Sequence, residues 1–291
     1  MTVPLSNRLS VLAERYDALL CDVWGVIHNG VAAFADAVEA LSRFRAGGGR
    51  VVLITNAPRA GGDVYAQLEQ LKVPRDAFDT IITSGDLTRG AIAARAGRSV
   101  FHLGPERDRS VFAGIDVRFA PVETADYIVC TGLFHDDAET PDNYRAMLGR
   151  ARERSLFMAC ANPDVVVEKG GRIIYCAGAL ADLYRDLGGD VLYAGKPYAP
   201  IYEAAFAAAA TLTGAPVPRS RMLAIGDSVR TDFTGARALG LDFLFVTSGI
   251  HAEELHPATS GGRDAPDEAV LARMFADAGA LPLAATARLR W

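Results

Sequence analysis

The sequence of 291 residues lacks three features that would each assign it to a class of protein. Its unbroken apolar runs fall far short of the roughly 18 residues that a membrane-spanning helix needs, so no membrane partner is expected. Thirty basic and 35 acidic residues give a net charge of −5. No basic stripe stands out, which argues against a nucleic-acid or anionic-membrane surface. Four scattered cysteines with no CxxC pair predict buried, reduced thiols and no disulfide framework.

Several sequence motifs are also missing. No GxGxxG follows a strand, and neither HExxH nor GxSxG occurs. Gly189 and Gly195-Lys196 resemble a P-loop, but five residues separate the glycines and a proline follows the lysine. The first residues, MTVPLSNRLSVLAERYD, lack the basic-then-apolar order of a signal peptide. Half of the chain is hydrophobic, so we expect a cytoplasmic globular protein with a full core.

What the sequence does contain is a regular alternation of strands and helices, which is typical of a parallel sheet. Strands are predicted at 18–21, 51–54, 80–83, 99–103, 127–131, 156–161, 191–194, 222–225 and 243–246. Helices are predicted at about 35–45, 62–71, 87–96, 143–152, 201–213 and 234–239.

The alternation begins again near residue 97, which indicates an insertion. We predict an α/β fold with a doubly wound parallel-sheet (Rossmann-like) core, formed by residues 1–96 and 191–291. A smaller α/β domain is inserted at 97–190. The tail after Ser248 contains Gly261-Gly262 and Pro266, so it is predicted to begin as a loop and to end in a helix.

Polar residues follow four of the predicted strands: Asp22, Thr55-Asn56, Lys196 and Asp227. Each alone has an ordinary explanation as a helix cap, turn or loop. Ligands of open parallel sheets bind at the carboxyl ends of the strands, and we expect all four at one edge of one sheet. Two carboxylates can hold Mg²⁺, while a lysine and a hydroxyl can hold phosphate oxygens. Either carboxylate could also attack phosphorus.

These residues stand in motifs that resemble those of the haloacid dehalogenase superfamily. The motifs are Asp22-Val23-Trp24-Gly25-Val26, Thr55-Asn56, Gly195-Lys196-Pro197 and Gly226-Asp227-Ser228 with Thr231-Asp232. The pattern is similar to class IIA, the NagD-like phosphatases, as is Asn162-Pro163-Asp164 late in the insertion. The resemblance covers nearly the whole chain.

The resemblance implies a Mg²⁺-dependent phosphatase that hydrolyses a small phosphorylated metabolite through an aspartyl-phosphate. Asp22 would be the nucleophile and a metal ligand, with Asp227 and the backbone carbonyl of Trp24 as the other ligands. Lys196 would steady the phosphoryl group and Asp22.

Further roles are implied around this centre. Thr55, with Asn56 and Ala57 beside it, would hold the transferring phosphoryl group. Asp232 and Ser228 would form an outer shell around the metal ligands. The insertion would be a cap that selects the leaving group, and a homodimer through the cap is consistent with the resemblance.

Asn162 and Asp164 have two interpretations that the sequence leaves equal. They either contribute to the substrate site from the cap or form an Asx turn around Pro163.

The sequence departs from the family pattern at Trp24, where the usual Asp-x-Asp motif has the second aspartate as general acid and base. His28 is the nearest titratable substitute, although a loop histidine is more often a surface residue. The alternative function is therefore a catalytically weak or inactive relative that binds a phosphorylated ligand or a protein partner. A phospho-accepting receiver is disfavoured, because Asp227 and Asp232 come last and the insertion has no place in that fold.

Overall fold

The structure, a computed structural model, describes residues 2–6, 8–169, 172–256 and 265–291. Its contacts group the chain into two compact units. The first comprises residues 1–55, 66–82 and 202–291, and the second comprises residues 56–65 and 83–201. The sequence boundary of the insertion at 97–190 stays a prediction.

The chain contains strands and helices in alternation. The strands are β1 (Ala18–Cys21), β2 (Arg50–Thr55), β3 (Thr80–Thr83), β4 (Ser99–Leu103), β5 (Arg118–Phe119), β6 (Tyr127–Cys130), β7 (Phe157–Cys160), β8 (Val166–Lys169), β9 (Arg172–Tyr175), β10 (Asp190–Tyr193), β11 (Met222–Gly226), β12 (Asp242–Val246) and β13 (Ala284–Thr286). The helices are α1 (Ser10–Ala13), α2 (Ala35–Ala46), α3 (Gly61–Gln70), α4 (Ser84–Ala93), α5 (Arg145–Glu153), α6 (Ala177–Asp186), α7 (Ala199–Thr213), α8 (Thr234–Ala238), α9 (Ala252–Leu255) and α10 (Glu268–Asp277).

The first unit is built on a six-stranded sheet with the order β13-β12-β11-β1-β2-β3. The strand pairs β1/β2, β1/β11, β11/β12 and β12/β13 are parallel. From β1 the chain continues to β2 and β3 toward one edge of the sheet, and from β11 it continues to β12 and β13 toward the other edge. This is the doubly wound arrangement, and its topological switch point lies between β1 and β11. The predicted Rossmann-like fold class is confirmed.

Burial explains why the central strands read as apolar runs. Every residue of β1 and β11 is buried, as expected for strands of a parallel sheet covered on both faces. The polar residues that end these strands therefore stand out against an apolar background.

The second unit has its own five-stranded parallel sheet, with the order β10-β7-β6-β4-β5. Here one sequence assignment was wrong. Residues 191–194 were placed in the same sheet as Asp22, but β10 pairs in parallel with β7, where Tyr193 lies opposite Cys160. Local patterning cannot distinguish the two sheets, because a strand's partner is set by contacts between residues distant in sequence.

Other elements were not anticipated. β8 and β9 form an antiparallel pair, and α6 follows them. The tail was predicted to end in a helix, but α10 is followed by β13, which adds to the edge of the six-stranded sheet beside β12. Three small residues carry too little periodicity to be recognised as a strand. Gly261-Gly262 lies outside the described residues.

Among the residues that the structure describes, none of the helices combines the length and the hydropathy needed to cross a bilayer.

Candidate functional site

Three carboxylates meet at the switch point of the six-stranded sheet. Asp22 follows β1, Asp227 follows β11, and Asp232 lies in the turn of π-helix that begins after Ser228. One oxygen from each lies within 4.8 Å of the others, and all three residues are buried. The side chains predicted from separate motifs are thus brought together in the first unit.

Asp227 is held by the backbone of two neighbouring loops. The Ile250 N–H donates to its Oδ2 at 2.7 Å. A Cβ added at Gly25 or at Gly249 would come closer to the Asp227 carboxylate than the 3.0 Å that real Cβ contacts keep. Gly25 also has a φ of +84°, a conformation that L side chains rarely adopt. The carboxylate therefore occupies a slot that only glycine on both sides leaves open.

Asp232 and Ser228 form a reciprocal pair. The Ser228 N–H donates to Asp232 Oδ2 at 3.2 Å, and the Asp232 N–H donates to the Ser228 carbonyl at 3.0 Å. The Ser228 hydroxyl accepts from the Thr231 N–H at 3.3 Å. A side chain at Gly226 would collide with Asp232, so this pair also packs directly against the strand end.

The donor set fits a hard divalent cation. All three side chains offer oxygen, which Mg²⁺ prefers, and none offers sulfur or nitrogen. Three carboxylates gathered in a buried place repel one another, and a bound cation would relieve that repulsion. Asp22, Asp227 and the Trp24 carbonyl are the predicted ligands, with Asp232 behind them.

The loop after Asp22 packs its tryptophan against its own histidine. The rings of Trp24 and His28 meet edge to face, with centroids 5.1 Å apart. Gly30, with φ +83°, leaves the room that the indole fills. His28 is 2% exposed, so its expected surface position was wrong. Its Nδ1 accepts the Gly30 N–H at 2.9 Å, which places the proton of the neutral ring on Nε2.

Thr55 is the last residue of β2, the strand beside β1, and it is buried. The register pairs Cys21 with Leu53, so Thr55 lies two residues further toward the carboxyl edge. This is the edge where Asp22 emerges.

The remaining predicted site residues belong to the second unit. Lys196 follows β10 and is 3% exposed. Asn56 is also 3% exposed, and its side chain bonds to both main-chain groups of Lys196. Asn56 Nδ2 also donates to Asp164 Oδ1 at 2.9 Å. The motifs around 56, 164 and 196 are thereby joined.

Two further predicted residues of this unit have structural contacts. Asn162 Oδ1 accepts the Asp164 N–H at 3.0 Å, so the Asx turn around Pro163 is present. The Ala57 carbonyl accepts the Gly85 N–H at 3.0 Å.

Two protein-family models match this chain. A family model described as haloacid dehalogenase-like hydrolase matches residues 19–118, and a HAD-hydrolase-like model matches residues 193–274. A crystal structure of a haloacid dehalogenase-like hydrolase from Brucella suis 1330 is 46% identical, with a TM-score of 0.86. The match covers 98% of this chain and 100% of that one. The chain belongs to the haloacid dehalogenase-like hydrolase family.

Other proteins are similar to this chain at lower identity. The D-glycerol 3-phosphate phosphatase of Mycobacterium tuberculosis is 28% identical over 249 residues, which is 83% of this chain. The chain spans 65% of that relative's length. The crystal structure of a glycerol phosphate phosphatase from the same organism, in complex with magnesium, is 24% identical with a TM-score of 0.62. That match covers 84% of this chain and 70% of that one, and it shows the fold alone.

Two residues of the site in this haloacid dehalogenase-like hydrolase were not predicted from the sequence. Gly249 and Ile250 hold Asp227, yet neither was singled out. They come shortly after β12, so the rule that sites form at the carboxyl ends of strands could have found them.

Proposed function

We propose that this protein is a Mg²⁺-dependent phosphatase that hydrolyses a small phosphorylated metabolite through an aspartyl-phosphate. The observation that carries the proposal is the cluster of buried carboxylates at the switch point. A structural role alone gives no reason to gather three like charges there, because burying carboxylates next to one another is costly.

The proposed reaction has two steps. An oxygen of the Asp22 carboxylate attacks phosphorus, the bond from phosphorus to the leaving oxygen breaks, and that oxygen takes the electron pair. Water then attacks this phosphorus and the bond from phosphorus to the Asp22 oxygen breaks, which restores the carboxylate and releases inorganic phosphate. Overall, one water gives its hydroxyl to phosphorus and a proton to the leaving oxygen. In this scheme Thr55 and Lys196 bind phosphoryl oxygens.

Mg²⁺ bound by Asp22, Asp227 and the Trp24 carbonyl would supply positive charge that offsets the charge of the phosphoryl oxygens. Asp232 and Ser228 orient the ligands from behind. The phosphatase names of the Mycobacterium relatives and the magnesium bound in one of them support this assignment.

The experiment is a phosphate-release assay with p-nitrophenyl phosphate and a panel of sugar, glycerol and acyl phosphates. It is run with Mg²⁺, with EDTA, and with EDTA followed by excess Mg²⁺. The Asp22→Asn variant is the matched control, because it keeps the side-chain volume and removes the nucleophile. Turnover that needs Mg²⁺ and is lost in Asp22→Asn supports the proposal, and equal turnover in that variant would overturn it.

The alternative function gives a different outcome in the same panel. A protein that only binds a phosphorylated ligand would be stabilised against heat by that ligand while no phosphate appears, because binding to the folded state raises the melting temperature.

A further inference from the structure

We propose that Asn56 and Asp164 are positioning residues for Lys196, and that their side chains are not ligands of the phosphoryl group. The inference rests on the proposed function only in that Lys196 acts on the phosphoryl group. It replaces the substrate-binding role that the resemblance implied for Asn56 and that the sequence left open for Asp164.

The hydrogen-bonding capacity of Asn56 carries the argument. A carboxamide has two N–H donors, and both are used by protein groups. Nδ2 donates to Asp164 Oδ1 at 2.9 Å and to the Lys196 carbonyl at 3.2 Å. Oδ1 accepts the Lys196 N–H at 2.7 Å. Phosphate oxygens are acceptors, and the Asn56 side chain has no donor left to offer them.

The orientation of this amide is determined by its partners. A main-chain N–H can only donate and a main-chain carbonyl can only accept, so the Lys196 backbone requires Oδ1 on one side and Nδ2 on the other. The Asn56 side chain therefore bonds to residue 196 much as a neighbouring strand would, through both of its main-chain groups.

Asp164 is in turn held by its own loop. Its N–H donates to Asn162 Oδ1 at 3.0 Å, and its carbonyl accepts the Gly178 N–H at 3.0 Å. The carboxylate carries the same sign of charge as a phosphate, so direct contact between the two would be repulsive. Accepting from Asn56 is a role that this charge strengthens.

Gly195 shows how tightly the arrangement is packed. A Cβ at this position would collide with Asn56 Oδ1 and would lie 3.0 Å from the Ser84 hydroxyl oxygen and 2.9 Å from Pro163 Cδ. The glycine before Lys196 is thus explained by the approach of Asn56. The chain from Asn162 through Asp164 and Asn56 to the Lys196 backbone is continuous and largely buried.

The test exchanges the donor and the acceptor of one bond. Asn56→Asp keeps an acceptor for the Lys196 N–H, but it places a carboxylate at position 56 against the carboxylate of Asp164. Asp164→Asn removes that carboxylate. In the double variant Asn56→Asp/Asp164→Asn, the new amide at 164 can donate to the new carboxylate at 56, so one bond returns with reversed direction.

Steady-state kinetics with p-nitrophenyl phosphate at saturating Mg²⁺ give the first readout. We expect Asn56→Asp to lower kcat by roughly 10- to 100-fold with little change in KM, because a misplaced catalytic group reduces the rate of the chemical step. The double variant should recover several-fold over Asn56→Asp. The control is Asn143→Asp, an exposed side chain in the turn before α5 that acts only as an acceptor, and its kcat should be unchanged.

Two results would overturn the inference. One is a rise in KM with unchanged kcat in Asn56→Asp, as expected for a lost substrate ligand. The other is a double variant no faster than the product of the two single effects. If circular dichroism shows that Asn56→Asp does not fold, Asn56→Ser gives the same test of kcat against KM. In that variant a hydroxyl replaces the amide that makes the three hydrogen bonds.

Failure of the proposed function would be recognised separately. If the wild type releases no phosphate from any ester, the melting temperatures of the wild type, the two single variants and the double variant still test the coupling between residues 56 and 164. The inference requires the double variant to melt above the sum of the two single shifts, since coupled residues are not additive. Additive shifts would refute it whether or not the protein is a phosphatase.

Discussion

Replacing Gly249 by alanine should impair metal binding through Asp227 alone. A Cβ at Gly249 would stand 1.9 Å from Asp227 Oδ2, whereas real Cβ atoms essentially never come within 3.0 Å. The carboxylate must therefore move by about 1 Å, which disturbs the hydrogen bond that it now accepts from the Ile250 N–H at 2.7 Å. The backbone of Gly249 has no left-handed φ, so the effect is one of space.

The size of the effect follows from the overpacking at Gly249 and from the displacement of the Asp227 carboxylate. Overpacking of this kind costs about 1–3 kcal/mol in the free energy of unfolding. Displacing a group that orients a metal ligand lowers metal affinity by roughly 10- to 100-fold. We therefore expect a modestly less stable protein whose half-saturating Mg²⁺ concentration rises by that factor.

The assay is a Mg²⁺ titration of phosphate release, with thermal unfolding measured in parallel. Gly90→Ala is the matched control, because that glycine lies in α4 with open space around the added methyl group. It should titrate as the wild type does and gain stability, since alanine favours a helix.

Comparison with Asp227→Ala identifies the route of the effect. Asp227→Ala alone should weaken Mg²⁺ binding and activity together while the protein stays folded. Adding Gly249→Ala to that variant should cause no further loss, because the colliding carboxylate is gone. A Gly249→Ala protein with wild-type Mg²⁺ dependence, or one that loses the same factor again without Asp227, would refute the reasoning.

Three further predictions concern single side chains. Lys196→Ala should lower kcat by roughly 10²-fold or more, as the loss of a preorganised charge does, and a change confined to KM would contradict its role. Trp24→Asp should flatten the dependence of kcat/KM on leaving-group pKa in a series of phosphate esters. It should also raise the turnover of alkyl phosphates by a factor within the ~10²–10⁴ range of general acid catalysis. A shallow slope in the wild type would show that another residue already donates the proton. Burial raises the pKa of Asp108 to about 6, so this group lowers the free energy of unfolding as pH rises toward that value. Burial lowers the pKa of His102 to about 4, so this group raises the free energy of unfolding as pH rises from there toward 6.5. Asp108→Asn should therefore unmask a rise in melting temperature between about pH 4 and 6.5, and a flat profile in that variant would contradict the opposition of the two groups.

The positions of the strands and the acids that end them could be predicted from local sequence. The strands at 18–21, 80–83 and 99–103 were predicted with the observed bounds. Strands buried on both faces need unbroken apolar runs, and such runs are visible without any partner. Asp22 and Asp227 follow two of these runs, and the order of the strands in a doubly wound sheet brings them together.

The partner of β10 could not be predicted in this way. Residues 191–194 form a strand, as expected, but Lys196 follows a strand of the five-stranded sheet. The apolar pattern of a strand reports its burial and not its neighbour, because neighbours are set by contacts far apart along the chain.

The sequence by itself determined the kinds of chemical group present, the family, and the strand ends at which the groups emerge. Only the tertiary structure decided how each group is used. The family resemblance implied that Asn56 helps to hold the phosphoryl group, yet both N–H donors of its side chain are taken by Asp164 and Lys196. The reason is that hydrogen-bonding capacity is consumed by whatever lies within hydrogen-bond distance, and those neighbours, 108 and 140 residues away along the chain, are known only once it has folded.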